Sequence, residues 1–179
     1  DWGEAVALLG AHTLGRGESE FSGHGGTWVS SDEEAQVFDK QYYEEFFTDA
    51  WRPRRMGGRQ QDWTTGSGHD RLMLNTDMCL VFDIDENARR RIPCCTRTDS
   101  SYPNGQNKCV DMEAARRRCP MYSQHDSRRA ATDAVIDMLG GSISGNNNDP
   151  FYIAFAKAWR KATVVGIPQN VLRPLQDRC

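Results

Sequence analysis

The stretch Glu4–Arg16, with the sequence EAVALLGAHTLGR, constrains the fold more than any other part of the chain. Its apolar positions recur at intervals of three and four residues and end on a histidine: Ala5, Leu8, Leu9 and His12. This spacing places them on one face of a helix and predicts a first helix over residues 4–14. A neutral imidazole at the end of such a face can bind a metal through one ring nitrogen. A histidine at such a position more often has a structural role than a metal-binding one.

Length and charge narrow the classes of protein that this chain can form. A chain of 179 residues can bury one proper core, so we expect a single domain over residues 1–179. The net charge of -3 at pH 7 lacks the basic field that a nucleic-acid-binding protein needs, and we expect no nucleic-acid partner. No apolar run approaches the ~20 residues of a membrane span, so we expect no transmembrane segment.

Aromatic and glycine spacing predicts the elements of the first half. An aromatic stripe at helical spacing predicts a second helix, comprising Phe38, Tyr42, Phe46, Phe47 and Trp51. Residues 52–59 are basic and are predicted to form a solvated turn. Trp63–Leu74 is typical of a short hairpin turning at Gly66 and Gly68, and the helix after it is predicted to be capped by Asn75 or Thr76.

Two further helices are predicted in the second half. One carries an apolar stripe of Ala131, Ala134, Val135, Met138 and Leu139. The other begins at Asp149-Pro150, where a capping residue is followed by proline in the first turn. Its predicted buried stripe consists of Phe151, Phe155, Ala158, Trp159 and Ala162.

Four of the six cysteines fall within a polar, turn-rich segment, at Cys94, Cys95, Cys109 and Cys119. Such a segment buries little apolar surface, so we predict that disulfides order it, with connectivity left open. A zinc site is the alternative, but the spacing lacks the paired CxxC ligands of structural zinc sites. Disulfides predict an oxidising compartment.

Five segments occur in a fixed order along the chain: EAVALLGAHTLGR, SGHGGTW, VFDKQYYEEFFTDAW, TTGSGHDRLMLNTDMCLVFD and DPFYIAFAKAW. In this order they resemble the plant-type haem peroxidase superfamily, most of all its intracellular branch of cytochrome c and ascorbate peroxidases. The resemblance covers residues 4–84 and 149–167 and corresponds to the C-terminal, proximal half of that fold. It implies a mainly α fold with a short hairpin, and a lineage-specific Cys-rich loop insertion over residues 85–148.

The resemblance also implies roles for five residues. His12 corresponds to the axial ligand of the iron of haem b, and Trp28 to the indole that lies parallel beneath the imidazole. In cytochrome c peroxidases that tryptophan carries a radical and passes electrons. Asp77 corresponds to the aspartate that accepts hydrogen bonds from both of them, which strengthens the imidazole as a donor to iron. Arg16 and Ser22 fall where the family contacts haem propionates.

The resemblance does not extend to the distal wall of a haem peroxidase. There a histidine moves the protons of hydrogen peroxide and an arginine stabilises the developing charge. Both precede the proximal motif in the family, whereas only Asp1–Gly3 precede it here, and His24, His69 and His125 follow it. We therefore expect a non-catalytic accessory or scaffold subunit of a larger protein assembly.

Two alternatives stay open beside this expectation. In the first alternative, the chain is the C-terminal part of a functional haem peroxidase that reduces hydrogen peroxide with a protein or small-molecule donor. In the second, it is a haem-binding sensor or electron carrier that uses His12. For the accessory subunit we expect other protein subunits as partners, association with a membrane complex, and an organellar, oxidising location such as the thylakoid lumen of a photosynthetic organelle.

Overall fold

The protein is mainly helical and carries a small antiparallel sheet. The computed structural model describes residues 1–55, 61–65, 70–84, 94–96, 119–168 and 171, and the statements below concern these residues. The α-helices are α1 (Trp2–Leu9), α2 (Ser19–Ser22), α3 (Gln41–Thr48), α4 (Asn75–Met78), α5 (Arg129–Met138) and α6 (Asp149–Val164). The strands are β1 (Arg52–Arg55), β2 (Gln61–Thr64) and β3 (Met73–Leu74), in the order β1-β2-β3.

Helix α1 begins earlier and ends sooner than the sequence pattern predicts. The Asp1 carboxylate caps it by accepting a hydrogen bond from the Glu4 backbone N–H at 2.8 Å. After Leu9 the chain tightens into a 3₁₀ helix over Gly10–Thr13, which carries His12. The predicted continuous helix over 4–14 is therefore wrong at its end.

The buried face of α1 also differs from the predicted one. Val6 and Ala7 are fully buried, because α1 packs against both α5 and α6. Ala5 is exposed, while Leu8 and Leu9 are half-buried. The apolar face that ends at His12 is thus only partly covered by the rest of the described chain.

Helix α3 supplies the aromatic centre of the core, but it is shorter than the stripe predicts: Phe38 precedes it and Trp51 follows it. Tyr42, Phe46 and Trp51 are buried, and Phe38 and Phe47 pack against them half-buried. The Trp51 indole N–H donates to the Glu45 carbonyl oxygen at 2.8 Å, which ties the segment after α3 back onto the helix.

The predicted hairpin is present as β2 and β3, with Trp63 opposite Met73. The expected solvated turn at Arg52 is wrong, since Arg52–Arg55 forms β1 and pairs with β2. The reason is a partner across the strands: Arg54 lies opposite Asp62 and binds its carboxylate, with Nε to Oδ1 at 2.9 Å. Residues 56–60 and the predicted turn at Gly66 and Gly68 lie outside the described residues.

The helix that carries Asp77 begins differently from the prediction. Leu74 occupies the cap position of α4, not Asn75 or Thr76. The Asp77 carboxylate in the first turn reaches back and accepts a hydrogen bond from the Leu74 backbone N–H at 2.7 Å. The Asp77 side chain, a candidate site residue, therefore also satisfies a backbone N–H at the N-terminal end of α4.

Helix α5 confirms its predicted stripe, whose five members are all buried. It lies within residues 85–148 and is fixed to the core, because Thr132 Oγ1 donates to the Leu80 carbonyl oxygen at 2.9 Å. In α6 the stripe is confirmed for Phe151 and Ala158, which are buried, and Phe155 packs half-buried against the core. Trp159 is 56% exposed and Ala162 is exposed as well, since no described element covers that side of the helix.

A disulfide joins Cys94 to Cys119 across a sequence separation of 25 residues. Both cysteines are buried in the core. Cys95 is disulfide-bonded too. Cys109 lies outside the described residues. Disulfide bonding is therefore confirmed for three of the four candidate cysteines.

None of the described helices has both the length and the apolar character needed to cross a membrane.

Candidate functional site

Asp77 is the centre of a buried hydrogen-bond cluster. Its side chain is fully buried, and each of its carboxylate oxygens has two donors. Oδ1 lies 3.1 Å from His12 Nδ1 and accepts from the Tyr42 hydroxyl at 2.8 Å. Oδ2 accepts from the Trp28 indole N–H at 2.9 Å and from the Leu74 N–H at 2.7 Å. Four donors around one buried carboxylate compensate for its loss of hydration.

The structure brings His12, Trp28 and Asp77 together, although they are far apart in sequence. The rings of His12 and Trp28 are stacked, with centroids 4.3 Å apart and planes 23° from parallel. The Tyr42 ring meets the imidazole edge-on, with centroids 5.6 Å apart and planes at 84°. The imidazole is therefore held on one side by an indole and at its edge by a phenol.

This arrangement directs the second ring nitrogen of His12 away from the cluster. An ionised carboxylate only accepts hydrogen bonds, so in the neutral imidazole the contact with Asp77 favours the tautomer with the proton on Nδ1 and a lone pair on Nε2. The His12 side chain is 29% exposed, whereas Asp77 is fully buried. A carboxylate partner on Nδ1 fixes the orientation of the imidazole and raises its strength as a ligand.

The donor set fits a prosthetic group that takes one ligand from the protein. No group of three or more His, Cys, Asp or Glu side chains that could hold a metal ion occurs among the described residues. A haem needs no such group, because its porphyrin supplies four nitrogens and the protein adds an axial imidazole. His12, with Asp77 behind it, meets that requirement.

The position of His12 depends on a tight contact at the end of α1. Gly10 is buried where a side chain would collide with the Tyr43 hydroxyl and the Phe151 ring. The Tyr43 hydroxyl donates to the Val6 carbonyl oxygen at 3.0 Å, which holds α3 against α1. Burial raises the pKa of Tyr43 well above its usual range, so it stays a donor.

Trp28 is positioned by the loop that precedes it. Gly17 and Gly26 pair across the base of this loop, and Thr27 then pairs with Arg71. Arg71 NH2 also lies 3.3 Å from the Trp28 carbonyl oxygen and donates to it. The pairing of Thr27 with Arg71 and the hydrogen bond to the Trp28 carbonyl oxygen together fix the backbone on either side of the indole.

Arg16 and Ser22 are the two predicted propionate contacts. In the structure they contact residues that are near them in sequence. Arg16 pairs with Glu18 at 3.1 Å and with Asp32 at 3.3 Å. The Ser22 hydroxyl bonds to the carbonyl oxygens of Glu18 and His24. Both residues are exposed, and their role toward haem stays a prediction.

Sequence reasoning missed Tyr42 as a functional residue. Its place in the aromatic stripe predicts only packing, whereas its hydroxyl binds Asp77. Burial and the charge of Asp77 raise the pKa of Tyr42 well above its usual value, so the phenol remains protonated. Because a buried tyrosine hydroxyl needs a hydrogen-bond partner, the predicted burial of Tyr42 was the one sign in the sequence that it binds a polar group.

A second histidine–carboxylate pair was also missed. His24 Nδ1 lies 3.2 Å from Asp62 Oδ2, and Arg54 binds both oxygens of that carboxylate. Asp62 is fully buried, while His24 is 22% exposed. The pair fastens the loop before Trp28 to the sheet. His125 is exposed, and His69 lies outside the described residues.

Comparison with known proteins finds relatives among fungal peroxidases. The chain is 36% identical over 80 residues to the mitochondrial cytochrome c peroxidase of Emericella nidulans, and 38% identical over 82 residues to that of Yarrowia lipolytica. It is 39% identical over 80 residues to a Cryptococcus neoformans protein named as a haem-binding peroxidase. Each match covers 45% of this chain.

The matched segment is a small part of each relative. It spans 23% of the Cryptococcus protein, 21% of the Emericella protein and 22% of the Yarrowia protein. No family model matches the chain. The chain is therefore a distant and partial homologue of cytochrome c peroxidases and haem-binding peroxidases.

Proposed function

We propose that this chain binds haem b through His12 and forms the proximal side of a haem peroxidase site. The observation that carries the proposal is the buried carboxylate of Asp77, which holds both the His12 imidazole and the Trp28 indole. A buried carboxylate is costly unless it is fully hydrogen-bonded. Its placement behind a partly exposed histidine is what a metal-ligating imidazole requires.

Each residue has a defined task in this proposal. His12 would bind the iron through Nε2, and Asp77 would keep the proton on Nδ1. Trp28 would hold the imidazole plane by stacking, and Tyr42 would complete the hydrogen bonding of Asp77. Haem, when bound, supplies the redox chemistry of its iron. The partial similarity to named peroxidases supports the same assignment.

Reduction of hydrogen peroxide would also need an acid–base group on the other face of the haem. Of the described histidines besides His12, His24 is held by Asp62 and His125 is exposed. A second candidate is therefore an accessory or scaffold subunit of a larger assembly in an oxidising organelle. The bond between Cys94 and Cys119 favours the oxidising location.

Haem titration of the purified chain tests the proposal. We expect a Soret band in the wild type, its loss in His12→Ala, and an unchanged band in the control His125→Ala, which alters an exposed histidine. Free imidazole should restore the band to His12→Gly, because it replaces the missing ligand. A folding defect would not respond to imidazole.

The opposite results would overturn the haem assignment. A wild-type chain without a Soret band, or a band that survives in His12→Ala, excludes His12 as the ligand. Absence of haem binding by the folded chain would leave the accessory or scaffold function.

A further inference from the structure

A cluster of three charged side chains, two buried and one half-buried, lies next to the candidate site. Arg71 is 2% exposed and forms ion pairs with two acids of the α3 region. Its NH2 lies 2.8 Å from Glu45 Oε2, and its NH1 lies 3.0 Å from Asp49 Oδ2. We call Glu45, Asp49 and Arg71 the α3 charge cluster.

The cluster reaches the candidate site through one atom. Arg71 NH2, which pairs with Glu45, also donates to the Trp28 carbonyl oxygen at 3.3 Å. Arg71 Nε is buried and has no hydrogen-bond partner in the described part of the chain. The guanidinium is thus held through its two terminal nitrogens, and a change at Glu45 acts on the nitrogen that binds Trp28.

A buried ion pair of this kind is weak evidence for stability. Removing charges from water costs about as much free energy as their attraction returns, so the positional role is argued from the contact of Arg71 with the Trp28 carbonyl oxygen. We propose that Arg71 positions Trp28 beside His12, and that the protonation state of Glu45 sets how firmly it does so. The functional importance of the Trp28 position rests on the proposed haem function, whereas the effect of Glu45 protonation on Arg71 does not.

The surroundings of Glu45 make its protonation responsive near neutral pH. Burial, above all, raises the pKa of Glu45 to about 7, although the attraction of Arg71 opposes this. Asp49 raises it further, by its charge and by its hydrogen bond with Glu45. The other described groups at the carboxylate are uncharged: Ser30 donates at 2.8 Å, and Gln41 donates at 3.2 Å and also binds Glu34.

Protonation would change both the charge and the geometry of the cluster. With both acids ionised, one cation faces two anions, and the cluster carries one net negative charge. Protonation of Glu45 cancels that charge and removes one of the two anionic partners of Arg71. Arg71 NH2 then loses its ion pair and is free to adjust toward the Trp28 carbonyl oxygen.

Fluorine NMR of the haem-free chain labelled with 5-fluorotryptophan tests the proposal. The chain contains five tryptophans, and the Trp28 signal is assigned by its loss in Trp28→Phe. We expect the Trp28 signal to show a pH-dependent transition near the Glu45 pKa of about 7. The signal of Trp51, whose ring lies 5.2 Å from the Arg71 guanidinium carbon, should shift in the same transition. Trp159 on the exposed side of α6 serves as the internal control, and its signal should not shift in that transition.

Two substitutions separate the switch from general effects of pH. Glu45→Gln keeps the shape of the side chain but cannot ionise, so the Trp28 transition should disappear. Asp49→Asn removes a charge that raises the pKa of Glu45, so the transition should persist with a lower midpoint. If Glu45→Gln does not fold, the midpoint of Asp49→Asn decides the outcome.

The proposal fails if Trp28 does not respond to pH in the wild type, if Glu45→Gln keeps the transition, or if Asp49→Asn leaves its midpoint unchanged. Because these measurements need no haem, their result is independent of the Soret experiment. Loss of haem binding with an intact Trp28 transition would refute the proposed function alone.

Discussion

At the scale of single residues, Tyr42 and Tyr43 are neighbours with different partners. The Tyr42 hydroxyl donates to the Asp77 carboxylate at 2.8 Å, whereas the Tyr43 hydroxyl donates to a backbone carbonyl at 3.0 Å. A hydrogen bond to a charged group contributes about 1.5–3 kcal/mol and a neutral one about 0.5–1.5 kcal/mol. We therefore expect Tyr42→Phe to lower the free energy of unfolding by more than Tyr43→Phe, as measured by urea denaturation of the haem-free chain.

Both variants lose one hydroxyl from a buried ring, so Tyr43→Phe is a matched control for the change in packing. Equal losses in the two variants would contradict a special role for Tyr42 at Asp77. A larger loss in Tyr42→Phe would show that Asp77 depends on the hydroxyl donor of Tyr42.

At the scale of elements, the bridge between Thr27 and Arg71 requires a glycine at position 26. Gly26 has a φ of 132°, and an added Cβ would collide with the Asp70 carbonyl oxygen. Backbone strain costs roughly 1–2 kcal/mol and overpacking roughly 1–3 kcal/mol. We expect Gly26→Ala to lower the free energy of unfolding by about 2–5 kcal/mol in urea denaturation.

Gly141→Ala separates the two costs. Gly141 also has a positive φ, of 83°, but an added Cβ would meet no atom within 4 Å. This variant should lose only the strain of roughly 1–2 kcal/mol. If Gly26→Ala loses no more than Gly141→Ala, the close approach of Gly26 to Asp70 does not hold the loop before Trp28.

At the scale of the whole molecule, the Cys94–Cys119 disulfide links two segments of the core that are distant in sequence. For a closed loop of 25 residues the chain-entropy model gives about 3.5 kcal/mol of stabilisation. The double variant Cys94→Ala/Cys119→Ala should therefore unfold at a lower urea concentration under non-reducing conditions. The comparison is made without reductant, so that the disulfide of Cys95 stays closed.

Cys79→Ala controls for the loss of a partly buried cysteine sulfur outside this disulfide. Its unfolding midpoint should change less than that of the double variant. A double variant as stable as the wild type would mean that packing alone holds residues 94–96 and 119 in the core.

Features that follow from local chemistry could be predicted from the sequence. The stripe of α5 is buried as predicted, as are Tyr42 and Phe46 of α3, because apolar spacing dictates which side of an element is buried. The hairpin of β2 and β3 is present where the glycine pattern predicts it. The resemblance to peroxidases also brought His12, Trp28 and Asp77 forward as a set. In each case the signal lies in residue types at a fixed spacing.

Where distant polar side chains meet depends on the tertiary fold. Arg54 joins a strand because Asp62 lies opposite, and Tyr42 binds Asp77 because the fold brings the two side chains within hydrogen-bonding distance. Trp159 is exposed although its spacing matches the buried stripe of α6. No local pattern encodes these outcomes, since the free energy of burying a polar or apolar group depends on which partner the fold brings to it.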